Sequence, residues 1–367
     1  MKALLIDDKA NRGWHQLFEK LFPVKGLSLE SAVDISTAVK KLEQEYDIIF
    51  LDVRLDGNDH FHREIENYTG FKILSGIKSK FINPNYSTPI ILITASNKIW
   101  SINAFLDYGV DAYYIKEHPE SIFNKETSKE NYDNLKSDFQ RLLTLGQARK
   151  MIWVLSKQIL YLLSSNKYFK DNSGYINVKN RVSEKIKLGY YYRFKSPNTQ
   201  EKDVLKVDNQ SISFLIYFSI LEDLCKGYTN KSSWDSNGNF SGKWKFRNNK
   251  DFIYLDDDYC EINPFWEEGR YNIKKIQKKN KRYTIYSDGR VNLSDQVYAL
   301  LYHYHIPEKY KNSFRQLNSF RNKLNYTHSS VTAIYNRPLV DSETTSEFEK
   351  NIIQILELII EILRNPK

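Results

Sequence analysis

The apolar run at residues 48–51, which ends at Asp52, most constrains what this chain can fold into. The run is too short for a helix and is apolar on both faces, so it predicts a buried strand of a parallel sheet. In open sheets of this kind, ligands bind outside the carboxyl ends of the strands. A carboxylate at that position predicts that the end of this strand opens into a functional site.

Three other short apolar runs also end in polar residues, and each has the composition of a buried strand. The runs and the residues that follow them are Lys2–Ile6 with Asp7 and Asp8, Pro89–Ile93 with Thr94, Ala95 and Ser96, and Ala112–Ile115 with Lys116. Because the carboxyl ends of parallel strands lie at one edge of the sheet, we expect these side chains to meet Asp52 there.

Asp7, Asp8 and Asp52 would bring three carboxylates into one half-buried crevice, where their charges repel each other. A hard divalent cation with oxygen ligands removes this repulsion. Mg²⁺ commonly binds through one or two carboxylates together with water and phosphate oxygens. The three aspartates therefore predict a Mg²⁺ site, with the ammonium of Lys116 nearby.

This pattern resembles the receiver domain of bacterial two-component response regulators, over the first third of the chain. The resemblance implies that Asp52 accepts a phosphoryl group from a cognate histidine kinase or phosphotransfer protein. It also implies a Mg²⁺ site, and the positions that match the family's metal ligands are Asp7, Asp8, Asp52 and, through its backbone carbonyl, Arg54.

The resemblance assigns further roles to the last two strands. Lys116 would bind the phosphate, and Thr94 would supply the hydroxyl that responds to phosphorylation. Tyr113, three residues before the lysine, stands where the family has its switch aromatic. These three residues would couple the phosphorylated site to the neighbouring face of the domain.

The chain departs from the family in two places. An insertion, residues 56–69, follows Asp52 and could shield or expose it, and Pro119 comes later than the family's usual lysine–proline pair. His60 and His62 lie in the insertion, but no third ligand is suggested, so we interpret them as side chains of a solvated loop rather than metal ligands.

The order of predicted elements indicates an α/β domain over residues 1–125, with a doubly wound five-stranded parallel sheet. The predicted helices between the strands are Asn11–Phe22, Ser36–Gln44, Phe71–Lys80 and Ile99–Tyr108, the last ending at Gly109. Apolar residues then recur at helical spacing, which predicts one long helix or two stacked ones. Residues 126–148 would be a helical linker or dimer seam, and a core helix is the better interpretation of 149–163.

Residues 149–367 are predicted to form a mainly helical domain with a small β insert. The helices are Ser211–Lys226, Ser294–His303 and Ser346–Arg364, and the short strands are Phe240–Arg247, Phe252–Leu255 and Tyr283–Val291. The basic run Lys274–Arg282 could contact nucleic acid, although such runs are more often solvated surfaces.

Charge distinguishes the two halves of the 367-residue chain. Residues 1–125 contain 15 Lys and Arg against 17 Asp and Glu, which leaves 39 against 28 for the rest. The excess of positive charge in the second half slightly favours a polyanionic partner, with a lysine-rich solvated surface as the alternative. The two cysteines imply no disulfide framework, and no apolar run has transmembrane length, so we expect a cytoplasmic protein.

One stretch of the second half, residues 313–328, could carry chemistry. Its apolar residues form the buried stripe of a helix: Phe314, Leu317, Phe320 and Leu324. If the helix continues, Arg321 and His328 lie on nearly the same face, about 10 Å apart along its axis. Histidine can transfer a proton near neutral pH and arginine can hold phosphate oxygens, which together suit phosphodiester cleavage.

Arg321, Asn322 and His328 resemble the signature of the HEPN superfamily of helical ribonucleases and nucleotide-binding modules. The resemblance implies that two protomers join to form one metal-independent cleft, with His328 as general acid/base, Arg321 on the phosphate and Asn322 orienting the site. A capping histidine and a surface arginine are the structural alternative.

Two classes of function therefore compete for the second half. The first is a ribonuclease gated by phosphorylation, with RNA as its substrate. The second is a non-catalytic helical module that dimerises or binds a partner when Asp52 is phosphorylated. A transcription factor is disfavoured because the sequence lacks a compact helix-turn-helix, and a sensor kinase because it lacks a glycine-rich ATP-binding region.

Overall fold

The computed structural model describes residues 1–22, 26–56, 59, 64–95, 99–116, 125–166, 173–194, 209–228, 264–267, 270–273, 297, 300–301, 306–324 and 342–364. The chain divides into two compact units. The first holds the described residues of Met1–Trp153 and Phe194–Lys206, and the second holds those of Val154–Arg193 and Val207–Lys367.

The first unit alternates strands and helices. Its strands are β1 (Lys2–Ile6), β2 (Ser28–Ala32), β3 (Ile48–Asp52), β4 (Ile90–Thr94) and β5 (Ala112–Ile115). Its helices are α1 (Trp14–Leu21), α2 (Ile35–Lys41), α3 (Thr69–Lys78), α4 (Ile99–Asp107) and the first part of α5 (Lys125–Ser165). Short 3₁₀ turns at Ala10–Arg12 and Ile65–Asn67 precede α1 and α3.

The strands form one sheet in the order β2-β1-β3-β4-β5, and every neighbouring pair is parallel. This is the strand order of the receiver or flavodoxin-like fold, whose ligand-binding crevice opens beside its first and third strands. The predicted doubly wound five-stranded fold is therefore confirmed. Asp52 is the last residue of β3, so the crevice opens next to it.

Alternate side chains of the central strands point to opposite faces of the sheet, and both faces are covered. One face packs against α2, α3 and α4, in a cluster that includes Leu4, Leu51, Leu92, Leu74 and Phe105. The other face packs against α1 and α5, in a cluster that includes Leu5, Phe50, Ile93, Phe18 and Phe139. This double burial explains why the strands of the sequence are continuous apolar runs.

Helix α5 is one continuous helix of 41 residues. Its early residues Leu135, Phe139 and Leu142 are buried in the same cluster as the sheet. Further along, the Arg149 Nη2 atom lies 2.7 Å from the Asp111 Oδ1 atom, and the Trp153 indole donates to the Phe81 carbonyl at 2.7 Å. The stretch 126–148, interpreted from the sequence as a linker, thus packs on the sheet as the last helix of this layer.

Local signals in the sequence explain where the helices begin and end. The Asp34 carboxylate accepts a hydrogen bond from the Thr37 backbone N–H and thereby caps α2. Gly109 follows α4 with φ of 104°, a left-handed conformation that glycine adopts without strain. This agrees with the predicted end of α4.

The second unit is mainly helical in its described part. Besides the end of α5, its helices are α6 (Ser173–Phe194), α7 (Asn209–Tyr228), α8 (Glu308–Lys323) and α9 (Ser342–Arg364). Helix α9 packs against α7 and α8, and partly buried ion pairs join α6 to α7 and α9. Lys185 pairs with Asp223 of α7 at 2.6 Å, and Arg193 pairs with Glu349 of α9.

Several predictions for the second half fall outside the described residues, among them the strands Phe240–Arg247, Phe252–Leu255 and Tyr283–Val291 and the basic run Lys274–Arg282. Within the described residues, β6 (Pro264–Glu267) and β7 (Arg270–Ile273) form a small antiparallel pair. Helix α6 was not predicted as an element. None of the described helices is both long enough and apolar enough to cross a membrane.

Candidate functional site

The three predicted carboxylates meet at the carboxyl edge of the sheet. Asp7 and Asp8 follow β1, and Asp52 ends β3, which is the strand beside it. One oxygen of each carboxylate lies within 4.8 Å of the others. Asp7 and Asp52 are buried, whereas Asp8 is exposed, so the cluster is open to solvent on one side.

Lys116, which follows β5, reaches into this cluster. Its Nζ atom lies 2.6 Å from the Asp7 Oδ2 atom and 2.5 Å from the Asp52 Oδ2 atom. Its backbone N–H donates to the Thr94 carbonyl at 2.7 Å, which fixes the lysine beside the end of β4. One ammonium thus faces three carboxylates, which leaves a negative excess at the site.

Burial and charge change the pKa values of the central pair. Burial raises the pKa of Asp52 to about 6, the charge of Lys116 opposes this increase, and the charge of Asp7 adds to it. Burial alone would lower the pKa of Lys116, but the charges of Asp52 and Asp7 outweigh it and raise the pKa. The lysine therefore stays an ammonium, and Asp52 is mainly ionised at neutral pH.

The donor set fits the Mg²⁺ ion that the sequence predicts. All three groups offer carboxylate oxygens, which hard divalent cations prefer, and two of the negative charges are not balanced by Lys116. The exposed side at Asp8 provides access for a hydrated ion. Asp7, Asp8 and Asp52 are the residues that would hold the metal.

Arg54, two residues after Asp52, stands beside this site. Its backbone N–H donates to the Asp52 Oδ1 atom at 3.4 Å, and its guanidinium lies over the Tyr68 ring at 5.3 Å. The side chain therefore packs on the residue that precedes α3. A metal-binding role for the Arg54 carbonyl stays a prediction.

The two switch candidates lie on neighbouring strands. Thr94 is buried at the end of β4, and Ile93 before it pairs with Asp52 in register. Tyr113 lies on β5 and is 48% exposed, between the buried residues Ala112 and Tyr114. Thr94 therefore lies at the sheet edge near the acidic cluster, and the ring of Tyr113 lies partly exposed at the surface.

Trp14 is a site neighbour that the sequence analysis missed. Gly13, with φ of 101°, lies between the 3₁₀ turn and α1, and the ring of Trp14 lies 5.3 Å from the Lys116 Nζ atom. Aromatic faces attract ammonium groups at this distance. No spacing rule in the sequence connects residues 14 and 116, because their proximity depends on the packing of α1 against the sheet.

Gly70 is a second residue whose role depends on packing. A Cβ atom at this position would lie 2.2 Å from the Asp52 carbonyl oxygen and 2.7 Å from that of Val53. The Gly70 N–H donates to the Val53 carbonyl at 3.1 Å. The absence of a side chain thus lets the first turn of α3 contact the backbone that carries Asp52.

The structure describes two of the three residues of the predicted output site. Arg321 is half-buried near the end of α8, with its guanidinium 5.2 Å from the centre of the Phe218 ring, and Asn322 is exposed. Helix α8 ends at Lys323, and Leu324 has extended backbone angles. The continuous helix assumed in placing His328 on the face of Arg321 is therefore wrong. His328 itself lies outside the described residues, as do His60 and His62.

No family model matches this chain. A search of curated proteins also gave no match. Among solved structures, the chain is similar to a signal receiver domain from Vibrio parahaemolyticus, at 16% identity and a TM-score of 0.31, over 41% of this chain and 95% of that one.

It is also similar to a two-component response regulator from Clostridium difficile, at 24% identity and a TM-score of 0.28, over 39% of this chain and 98% of that one. A third similar structure is a response regulator from Burkholderia pseudomallei that contains a phosphorylated aspartic acid and a calcium ion, at 20% identity and a TM-score of 0.26, over 38% of this chain and 71% of that one.

Proposed function

We propose that the first unit is a receiver domain of a two-component response regulator, and that Asp52 accepts a phosphoryl group in a Mg²⁺-dependent reaction. The observation that carries this proposal is the buried Lys116 ammonium held between Asp7 and Asp52, inside a cluster of three carboxylates at the carboxyl edge of the sheet. A structural ion pair needs one carboxylate per ammonium, whereas a site for a divalent cation needs this excess.

In the proposed reaction, a carboxylate oxygen of Asp52 attacks the phosphorus of a phosphohistidine or of a small acyl phosphate. The bond from phosphorus to the donor breaks, the donor keeps the electron pair, and an acyl phosphate forms on Asp52. The ionised state of Asp52 at neutral pH supplies the nucleophile. When bound, Mg²⁺ would neutralise negative charge on the carboxylates and the phosphoryl oxygens.

Lys116 has a defined part in this reaction. Its Nζ atom lies 2.5 Å from the carboxylate oxygen of Asp52, so it would lie close to a phosphoryl oxygen bound to that carboxylate. Because its pKa is raised, it remains a cation throughout. Its charge would then stabilise the phosphoryl group during transfer.

We propose that Thr94 and Tyr113 respond to the phosphoryl group. The hydroxyl of Thr94, at the end of β4, would donate a hydrogen bond to a phosphoryl oxygen. The exposed ring of Tyr113 would then move toward the space that the hydroxyl vacates. Such a movement would change the surface formed by α4 and β5. A homodimer formed through this surface is the expected consequence.

For the second unit we propose an effector controlled by this change. Its HEPN-like ribonuclease activity is proposed from Arg321, Asn322 and His328 and from the positive charge of the second half. The contact of Arg321 with Phe218 supports a structural role equally well. The alternative function is a non-catalytic module for dimerisation or partner binding.

The receiver proposal is tested by calorimetric titration of the full chain with beryllofluoride, with and without Mg²⁺. We expect binding that needs Mg²⁺ and is lost in Asp52→Asn, and weaker Mg²⁺ binding in Asp8→Ala. The variant Asp34→Asn is the control, because it removes a helix-capping carboxylate outside the cluster. Equal binding by wild type and Asp52→Asn would contradict the proposal.

The effector proposal needs a separate assay of RNA cleavage without metal. The ribonuclease predicts products ending in a 2′,3′-cyclic phosphate, loss of cleavage in His328→Ala with RNA binding kept, and loss of both in Arg321→Ala. RNA binding should weaken as salt increases. A folded protein that neither binds nor cleaves RNA would contradict the ribonuclease function and favour the partner-binding function.

A further inference from the structure

Asp59, inside the insertion that follows Asp52, has an unusual environment for a carboxylate. It is fully buried. Its Oδ2 atom accepts hydrogen bonds from the backbone N–H groups of Leu55 at 3.1 Å and Asp56 at 3.3 Å, and from the Thr69 hydroxyl. Its Oδ1 atom accepts from the Thr69 N–H at 3.1 Å. Both oxygens are therefore occupied by donors of the protein.

These four donors are neutral groups rather than an ammonium or a guanidinium. A buried carboxylate is costly unless hydrogen bonds satisfy it, so this set of donors must stay in place for Asp59 to remain buried. Thr69 is the first residue of α3, where unpaired N–H groups and the helix dipole favour a negative charge. Asp59 thus ties the start of α3 to the backbone at Leu55.

Thr69 completes the connection. Its hydroxyl oxygen accepts from the Leu55 N–H at 2.7 Å while it donates to Asp59. The two ends of the insertion, at Asp56 and Thr69, are therefore held together by one carboxylate and one hydroxyl. We call Asp59 and Thr69, with the bonds between them and Leu55, the clasp.

The clasp adjoins the segment that carries the proposed phosphorylation site. The residue after Thr69 is Gly70, whose N–H donates to the Val53 carbonyl and whose Cα faces the backbone of Asp52. The segment from Asp52 to Leu55 is therefore held against the first turn of α3 at both of its ends. Arg54, whose carbonyl is the remaining predicted metal ligand, lies within that segment.

We propose that Asp59 and Thr69 are positioning residues for the site at Asp52, because the clasp fixes the backbone between Asp52 and Leu55 that completes it. This inference rests on the proposed function of Asp52. Asp59 acts through the backbone, and it is not among the three carboxylates of the acidic cluster. Outer residues that orient metal ligands are typically worth about 10–100-fold in metal affinity.

The test uses the full chain with Asp59→Asn, Thr69→Val and Thr69→Ser, and measures Mg²⁺ affinity and Mg²⁺-dependent beryllofluoride binding. Asp59→Asn places an NH₂ group among N–H donors, and Thr69→Val removes the hydroxyl, so we expect each to weaken both affinities by about tenfold or more. Thr69→Ser keeps the hydroxyl and should restore binding. If these residues had only a structural role, Mg²⁺ and beryllofluoride affinity would not depend on whether residue 69 of the folded protein carries a hydroxyl.

Asp34→Asn is the matched control, since Asp34 likewise accepts from a backbone N–H and a hydroxyl, those of Thr37, at the start of α2. It should bind like wild type. If wild type binds beryllofluoride and a folded Asp59→Asn binds equally well, the clasp inference is wrong while the receiver proposal stands. If Asp59→Asn does not fold, the comparison of Thr69→Val with Thr69→Ser takes its place. Equal beryllofluoride binding by these two variants would then show that the clasp inference is wrong. If wild type itself does not bind, the receiver proposal fails.

Discussion

At the residue scale, the site depends on an imbalance of charge. Lys116 supplies one positive charge to a cluster of three carboxylates, two of them buried. Burial of Asp52 disfavours its ionised form, and the nearby Asp7 adds to this, while the pairing with Lys116 is insufficient to offset both. Without a bound metal ion, the ionised carboxylates of this site therefore destabilise the folded protein.

A pH-dependent effect of Asp52→Asn follows. The pKa of Asp52 is raised from 3.8 to about 6, so its contribution to stability is present below about pH 4 and is lost as the pH rises through about 6. In metal-free buffer, the variant should have a higher free energy of unfolding than wild type by on the order of 1–3 kcal/mol at neutral pH, and little advantage near pH 4. Urea unfolding at the two pH values measures this. A difference that does not change with pH would contradict the assignment.

The residues of this cluster could be predicted because each one lies at or just after the end of a strand, and parallel strands bring their carboxyl ends together. Trp14 and Asp59 could not be predicted in this way. Trp14 contacts Lys116 through the packing of α1, and Asp59 contacts Thr69 through hydrogen bonds at the start of α3. Neither contact leaves a periodic or spacing signal in the sequence.

At the element scale, the helices and strands of the first unit follow their sequence signals closely. Strand β5 has the predicted bounds Ala112–Ile115, and α4 ends before Gly109 as predicted. The start of α3 differs, because the helix begins at Thr69, two residues before the predicted start at Phe71. The start of α3 is set by the clasp and by the close approach of Gly70 to the backbone of Asp52. Both depend on tertiary contacts rather than on a local sequence signal.

Gly70→Ala tests the close approach of α3 to the site. The new Cβ would meet carbonyl oxygens of Asp52 and Val53, which are backbone atoms and cannot rotate away. We expect a loss of roughly 1–3 kcal/mol in the free energy of unfolding, together with weaker beryllofluoride binding.

Gly76→Ala is the control in the same helix, because nothing lies within 4 Å of its Cβ position. It should keep binding and raise stability by about 0.5–1 kcal/mol, as alanine does in a helix interior. Thermal melts and calorimetry of both variants provide the comparison. Equal binding by the two variants would show that the approach of α3 does not matter for the site.

At the scale of the whole molecule, α5 belongs to both compact units, with residues up to Trp153 in the first and the rest in the second. The sequence predicts domain boundaries at residues 125 and 148, because a linker helix and a core helix have the same apolar spacing. The burial of Leu135, Phe139 and Leu142 against the sheet distinguishes a core helix from a linker helix. This burial is seen in the structure and not in the sequence. Those boundaries stay predictions.

Two fragments test where the first domain ends. Burying a large apolar side chain contributes about 1.5–3 kcal/mol, so Leu135, Phe139 and Leu142 together contribute as much as the whole stability of many domains. Residues 1–153 should therefore unfold cooperatively in urea, and residues 1–125 should not fold. Cooperative unfolding of both fragments at the same urea concentration would place the end of the domain at residue 125.

The central claim is that Asp52 accepts a phosphoryl group, and intact-mass spectrometry after incubation with acetyl phosphate tests it most directly. The account predicts one added phosphoryl group on the wild-type chain in Mg²⁺, none in EDTA, and none on Asp52→Asn in Mg²⁺. The control Asp34→Asn should be modified like wild type, because its carboxylate caps α2 and is not part of the acidic cluster. An unmodified wild-type chain in Mg²⁺, or equal modification of Asp52→Asn, would contradict the account.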